Sequence, residues 1–173
     1  MKYFGISCIV LLIVSCTAPK AVYDYERSTD FAKYKTYNFF PEIETGLNEL
    51  NDKRLFRLTD SIMQSRGFVK TATPDFYINV ETAFFEPDQN GGVGVGVGGG
   101  GRGVGGGVTI GLPIGNAKRN HEIVLDFVDV REDKLFWQAI IEGYFKEEAT
   151  PIERKMYFKA VLLKAFEKYP PEK

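Results

Sequence analysis

The sequence predicts an α+β domain in which a mainly antiparallel sheet packs against two helices, with a Gly-rich insertion between two strands. Three observations support this fold class. Several segments alternate apolar and polar residues, as half-buried strands do. Two other segments repeat apolar residues at helical spacing. Finally, the 173-residue chain has 18 glycines, and 12 of them fall within residues 91–107.

The N-terminus has the features of a bacterial lipoprotein signal peptide. Lys2 precedes an apolar run from Phe4 to Val14, which is too short to cross about 30 Å of hydrocarbon as a helix. The following Ile-Val-Ser-Cys, at residues 13–16, resembles a lipobox. We therefore expect residues 1–15 to be removed and Cys16 to be acylated, with palmitate among its lipids. Residues 16–22 then form a lipidated tether, and residues 23–173 form one domain.

The first half of the domain is predicted to contain a strand, a helix and a second strand. Residues Thr36–Phe40 are rich in β-preferring side chains and end at a proline. A helix should follow, and Gly67 is well placed to terminate it. Its apolar positions are Leu47, Leu50, Leu55, Leu58 and Ile62. The next strand alternates through Phe76, Ile78, Val80 and Phe84.

The Gly-rich residues 91–107 interrupt the chain before the next strand. They contain a match to a dinucleotide-binding fingerprint, but extended β-like sequence follows them instead of a helix. A membrane helix is also disfavoured, because 12 glycines would cost roughly 12 kcal/mol relative to alanine. Two interpretations remain, a flexible loop, which we favour, and a hairpin with alternating valines.

The second half of the domain should contain a hairpin and a helix. Residues 122–130 and 135–144 alternate around a polar turn, with Leu135, Trp137, Ala139 and Ile141 expected on one face. The last helix begins with Thr150-Pro151-Ile152-Glu153, the pattern of a capping box. Its apolar stripe comprises Phe158, Val161, Leu162, Ala165 and Tyr169.

Four sequence segments, in this order, carry a resemblance to a known family. They are residues 30–37 (DFAKYKTY), 75–80 (DFYINV), 125–129 (LDFVD) and 135–137 (LFW). They resemble the uncharacterised bacterial lipoproteins grouped as domain of unknown function 4136, over nearly the whole mature chain. Ala139 departs from the pattern, because the family tends to have glycine there. The resemblance implies an envelope lipoprotein and supplies no catalytic residues.

A search for catalytic or metal-binding patterns gives no candidate. His121 is the single histidine, and we expect it to be exposed and incidental. Ser28, Ser61 and Ser65 lack a nucleophile-elbow context. One histidine and no cysteine other than the lipidated Cys16 exclude the common zinc patterns, and Asp126 and Asp129 should point to opposite faces of a strand, which disfavours calcium. Trp137 is expected in the core, although it and Arg102 remain candidates for a binding surface.

These observations predict a membrane-anchored envelope lipoprotein and favour a non-enzymatic binding or structural module over an enzyme, with no cofactor and no metal. The net charge of −1 disfavours nucleic acid as a partner. Thr17 after the acylated cysteine favours the outer membrane, facing the periplasm. The expected partners are the bilayer, through Cys16, and an envelope protein or cell-wall ligand. The alternatives are a carboxylate-based hydrolase or sugar-binding accessory, and an oligomer that inserts Gly/Val hairpins as a pore.

Overall fold

The structure is a computed structural model, and it describes residues 18–85 and 118–172. Within these ranges the chain forms one six-stranded sheet and two α-helices. The strands are β1 (Lys20–Tyr25), β2 (Thr36–Phe39), β3 (Val69–Lys70), β4 (Phe76–Phe85), β5 (Lys118–Asp129) and β6 (Lys134–Lys146). The helices are α1 (Glu49–Ser65) and α2 (Pro151–Ala165). The α+β class and the two helices are therefore confirmed.

The sheet is mixed, so the prediction of a mainly antiparallel sheet is wrong. Its strand order is β1-β6-β5-β4-β2-β3. The pairs β1–β6, β6–β5 and β5–β4 are antiparallel, whereas β4–β2 and β2–β3 are parallel. The reason is that α1 lies between β2 and β4 in the sequence and serves as the crossover that parallel strands require.

Local side-chain signals define the ends of both helices. The Asn48 side chain accepts a hydrogen bond from the Asn51 N–H at the start of α1, and Gly67 follows its last turn with φ +87°. The predicted capping box of α2 is present between Thr150 and Glu153. Arg66 donates hydrogen bonds of 2.6 and 2.7 Å to two carbonyls just after α2, which joins the ends of the two helices.

Residues 20–22, which are predicted from the sequence to belong to the tether, form the first half of β1. This edge strand pairs with β6, with Val22 opposite Ile140. Tyr23 lies on the helix side, where its hydroxyl donates a 2.5 Å hydrogen bond to the Lys164 carbonyl. Among the described residues, no helix combines the length and the apolarity that crossing a bilayer requires.

The predicted hairpin of β5 and β6 is confirmed, but one of its faces differs from the expectation. The register shifts between Phe127 and Val128, so that Leu135 pairs with Val128 and is exposed. Leu135 therefore does not share the face of Trp137. The extra residue, Phe136, is buried and stacks on Tyr34 with 4.0 Å between ring centroids.

Candidate functional site

The two faces of the sheet have different surroundings. Both helices pack on one face, where alternate residues of the central strands are fully buried. The other face, here called the open face, consists of the intervening residues of β1, β4, β5 and β6. No described helix or strand packs on it. Antiparallel sheets commonly leave one face to solvent, and such a face is normally polar.

The centre of the open face is instead apolar. The strand register places Val22, Ile140 and Val124 side by side on β1, β6 and β5. We call these three residues the apolar row. Val22 is 67% exposed, and Ile140 and Val124 are half-buried by their neighbours in the sheet. Apolar surface that is contiguous across three strands is typical of a contact site rather than of isolated surface residues.

Carboxylates surround the apolar row, and we call them the acidic border. On one side of the row Glu122 lies directly opposite Glu142, and on the other side lie Asp126 and Asp24. Glu81 stands next to Val124 at the end of the row. Like charges directly opposite each other destabilise a sheet. Lys20 lies opposite Glu142 on β1, so the five carboxylates still leave the border with a net negative charge.

Asp126 is a half-buried carboxylate of the border. It accepts a 2.7 Å hydrogen bond from the Gln138 side chain. Burial raises the pKa of Asp126, and the nearby Glu81 raises it further. A surface cavity of about 500 Å³ adjoins it, lined by Phe40, Pro41, Glu42, Asn79, Asp126 and Val128.

A second cavity lies at the end of the open face where β1 begins. Its volume is about 420 Å³, and its lining includes Lys20, Phe85, Glu122, Glu142 and Tyr144. The two aromatic side chains are half exposed to solvent. This cavity brings together two opposed carboxylates, a lysine and two accessible rings.

His121 is buried, so the expectation that it is exposed is wrong. It lies on the helix side of β5, stacked on Phe84 with 4.2 Å between centroids. Its Nδ1 is 2.8 Å from the Tyr157 hydroxyl, while its Nε2 is buried without a hydrogen-bond partner among the described residues. Burial lowers the pKa of His121 to about 4, so the ring is neutral near pH 7. A neutral ring enclosed by aromatic side chains has a packing role.

Asp129 forms the other buried polar cluster. Its carboxylate accepts hydrogen bonds from the Tyr34 hydroxyl at 2.8 Å and from the backbone N–H groups of Arg131 and Glu132, and Lys33 lies 2.9 Å away. Burial alone would raise the pKa of Asp129, but these partners outweigh it and hold the pKa below its usual range. The cluster ties the β5–β6 turn to the loop before β2.

The remaining predicted site residues do not form a catalytic centre. Trp137 is fully buried and cannot contribute to a binding surface. Asp126 and Asp129 lie on opposite faces, as predicted, and no group of three metal-ligating side chains occurs within residues 18–85 and 118–172. Ser61 and Ser65 lie on α1. Cys16, Arg102 and the Gly-rich residues 91–107 fall outside the described residues.

The fold and surface define a two-layer α+β domain with a mixed sheet, one face of which is left open. The chain belongs to the family described as "Domain of unknown function (DUF4136)", whose model matches residues 21–171. The resemblance found from the sequence is thereby confirmed. None of the curated proteins matches the chain.

Solved structures with similar folds share little sequence with this chain. A PDZ domain protein from Parabacteroides distasonis is 13% identical, with a TM-score of 0.55, and the alignment covers 90% of this chain and 37% of that one. Two structures of a PelC dodecamer from Paraburkholderia phytofirmans are 8% and 7% identical, with TM-scores of 0.52 and 0.50. Each of these alignments covers 86% of this chain and 94% of PelC. At such identities the likeness concerns the fold alone.

Proposed function

We propose that this chain is a non-enzymatic module of the bacterial cell envelope whose open face binds a protein partner. The observation that carries the proposal is the apolar row and its acidic border. Burying the row would remove apolar side chains from water, at about 25 cal/mol per Å². The carboxylates would select a partner with complementary positive charge.

We further propose that an acylated Cys16 anchors the module in the outer membrane, on the periplasmic side. β1 begins only four residues later, so Lys20 would lie within about 14 Å of the anchor. Phe85 and Asn120 are paired, as are Lys20 and Glu142, so the ends of β4 and β6 and the starts of β1 and β5 lie at this same end of the sheet. The open face would then extend away from the bilayer, accessible to a partner in the periplasm.

The open face can be tested by site-specific photocrosslinking in intact cells. A photoreactive amino acid replaces Ile140 in the full chain, and the matched control replaces Ser61, an exposed residue on α1. We expect a discrete protein adduct from position 140 and none of the same size from position 61. Equal adducts from both positions, or none from position 140, would contradict the proposal.

The anchor has a separate test. Cys16→Ala should release the chain from the membrane fraction, because no other acylation site is expected. A variant that still sediments with membranes after washing in high salt would show that the lipid anchor is not needed. The control is Cys8→Ala, which lies within the proposed signal peptide and should leave membrane attachment unchanged.

A cell-wall ligand is the second candidate for this surface. The 420 Å³ cavity holds the opposed Glu122 and Glu142 together with the accessible Tyr144 ring, and a carboxylate pair with an aromatic side chain can bind or hydrolyse a glycan. Soluble glycan fragments should then shift the Tyr144 resonances and be bound less tightly by E122Q/E142Q. The pore hypothesis concerns residues 91–107, which are not described, and stays a prediction.

A further inference from the structure

Helix α2 carries an apolar stripe on its outer surface in addition to its buried face. Ile152 is 73% exposed and Met156 is 66% exposed, and Leu163 is also exposed. Their spacing of four and seven residues places all three within about 40° on the helix surface. We call them the outer stripe. In contrast, the exposed positions of α1 after its first turn are all polar, namely Lys53, Arg57, Ser61, Gln64 and Ser65.

Two lysines accompany the outer stripe. Lys155 and Lys159 are exposed on the same flank of α2, one turn apart. Neither forms an ion pair with another described residue, although several nearby surface charges are paired. The outer surface of α2 is therefore an apolar stripe with positive charge beside it, whereas the open face is an apolar row with negative charge beside it.

We propose that the outer stripe of one copy docks on the open face of a second copy, with Lys155 and Lys159 against Glu122 and Glu142. This inference rests on the proposed function and names its partner. The dimensions agree. With α2 crossing the strands along the apolar row, Lys155 and Lys159, about 6 Å apart along the helix, meet Glu122 and Glu142, which are about 5 Å apart across the strands.

The positions of the two surfaces determine the kind of assembly. α2 lies on the helix side of the sheet, so its outer stripe and the open face are on opposite sides of the same domain. A chain cannot make this contact with itself. A contact between two different surfaces is heterologous, and its repetition gives a closed ring or an open filament. Lys155 and Lys159 of the other copy then add two positive charges to that of Lys20, which each chain places beside its opposed Glu122 and Glu142.

Reciprocal charge reversal tests this contact. K155E/K159E makes the helix surface acidic, and E122K/E142K makes the sheet surface basic. Each full-length variant, extracted in mild detergent, should self-associate at least about tenfold more weakly than wild type in sedimentation velocity. An equimolar mixture should recover association, because each variant then offers the charge that the other needs. The matched controls are K35E/R57E and E44K/E148K, at exposed positions outside both surfaces, and thermal melting verifies that all variants fold.

Recovered association in the mixture would support the contact. Folded variants that associate as wild type does, or a mixture that stays dissociated, would overturn it. A monomeric wild type would overturn it as well. The proposed function would survive that result if the photoreactive residue at position 140 still crosslinks to a different protein. A different outcome is that wild type binds phosphatidylglycerol vesicles, that K155E/K159E abolishes this binding, and that no self-association occurs. In that case α2 contacts a membrane and the inference is wrong.

Discussion

His121 should make the stability of this fold depend on pH. It is the single histidine of the sequence, so no other imidazole titrates in the same pH window. In an unfolded chain the imidazole has a pKa near 6.5, whereas burial against Phe84 lowers the folded-state pKa to about 4. Between these values the unfolded chain binds a proton that the folded chain excludes. The free energy of unfolding is therefore highest above pH 6.5 and decreases as the pH falls towards 4. We expect a loss of about 2 kcal/mol at pH 5 relative to pH 8, and about 3 kcal/mol at pH 4.

The assay is urea unfolding followed by circular dichroism between pH 8 and pH 5, on wild type and His121→Phe. Phenylalanine retains a ring against Phe84 but cannot take up a proton, so its profile should lack the loss. Its stability at pH 8 should be lower, because the Tyr157 hydroxyl loses the partner that lies 2.8 Å away. In thermal melts the wild-type loss corresponds to a Tm decrease of about 4–8 °C at pH 5. Parallel profiles for the two proteins would refute the buried, neutral histidine.

Substitutions at three further positions test the packing at Gly143, the polar cluster of Asp129 and the cap of α2. Gly143→Ala would place a Cβ 3.0 Å from the Tyr157 hydroxyl oxygen, so we expect a loss of about 1–3 kcal/mol by urea unfolding, and unchanged stability would contradict this packing. Asp129→Asn removes the charged acceptor of the Tyr34 hydroxyl, which should cost about 2 kcal/mol at pH 7 and less below about pH 4, where the unfolded-state carboxyl is protonated. An equal cost at both pH values would exclude the charge as its cause. Thr150→Ala should cost about 1 kcal/mol in thermal melts and Thr150→Ser much less, whereas equal losses would show that the hydroxyl cap is not responsible.

Features that depend on neighbouring residues in the sequence could be predicted. The capping box at Thr150 and the alternation along β4 and β5 are local patterns, and both are present. The direction of the β2–β4 pair depends on where the chain returns after α1, and the bulge beside Phe127 depends on packing across strands. Neither has a local signal, so the mixed sheet and the exposure of Leu135 were missed.

Two features were not predicted, the burial of His121 and the apolar row of the open face. His121 has the same parity as Ile123 and Leu125, so alternation alone would have placed it on the buried face. The apolar row needs three strands in register, and the first half of one of them, β1, was assigned to the tether. Trp137 was correctly expected in the core, since aromatic residues that alternate with polar ones on a strand face inwards.

A partner on the open face is tested most directly by asking whether that face is covered in the cell. Val22→Cys and Lys35→Cys place a thiol on the apolar row and on an exposed loop away from it, and wild type reports the background labelling. Intact envelopes and detergent-denatured chains are labelled with a maleimide reagent. The extent of labelling in envelopes, divided by that after denaturation, is then compared between variants. We expect position 22 to be protected in envelopes while position 35 is fully labelled. Full labelling at position 22 would contradict a partner on the open face.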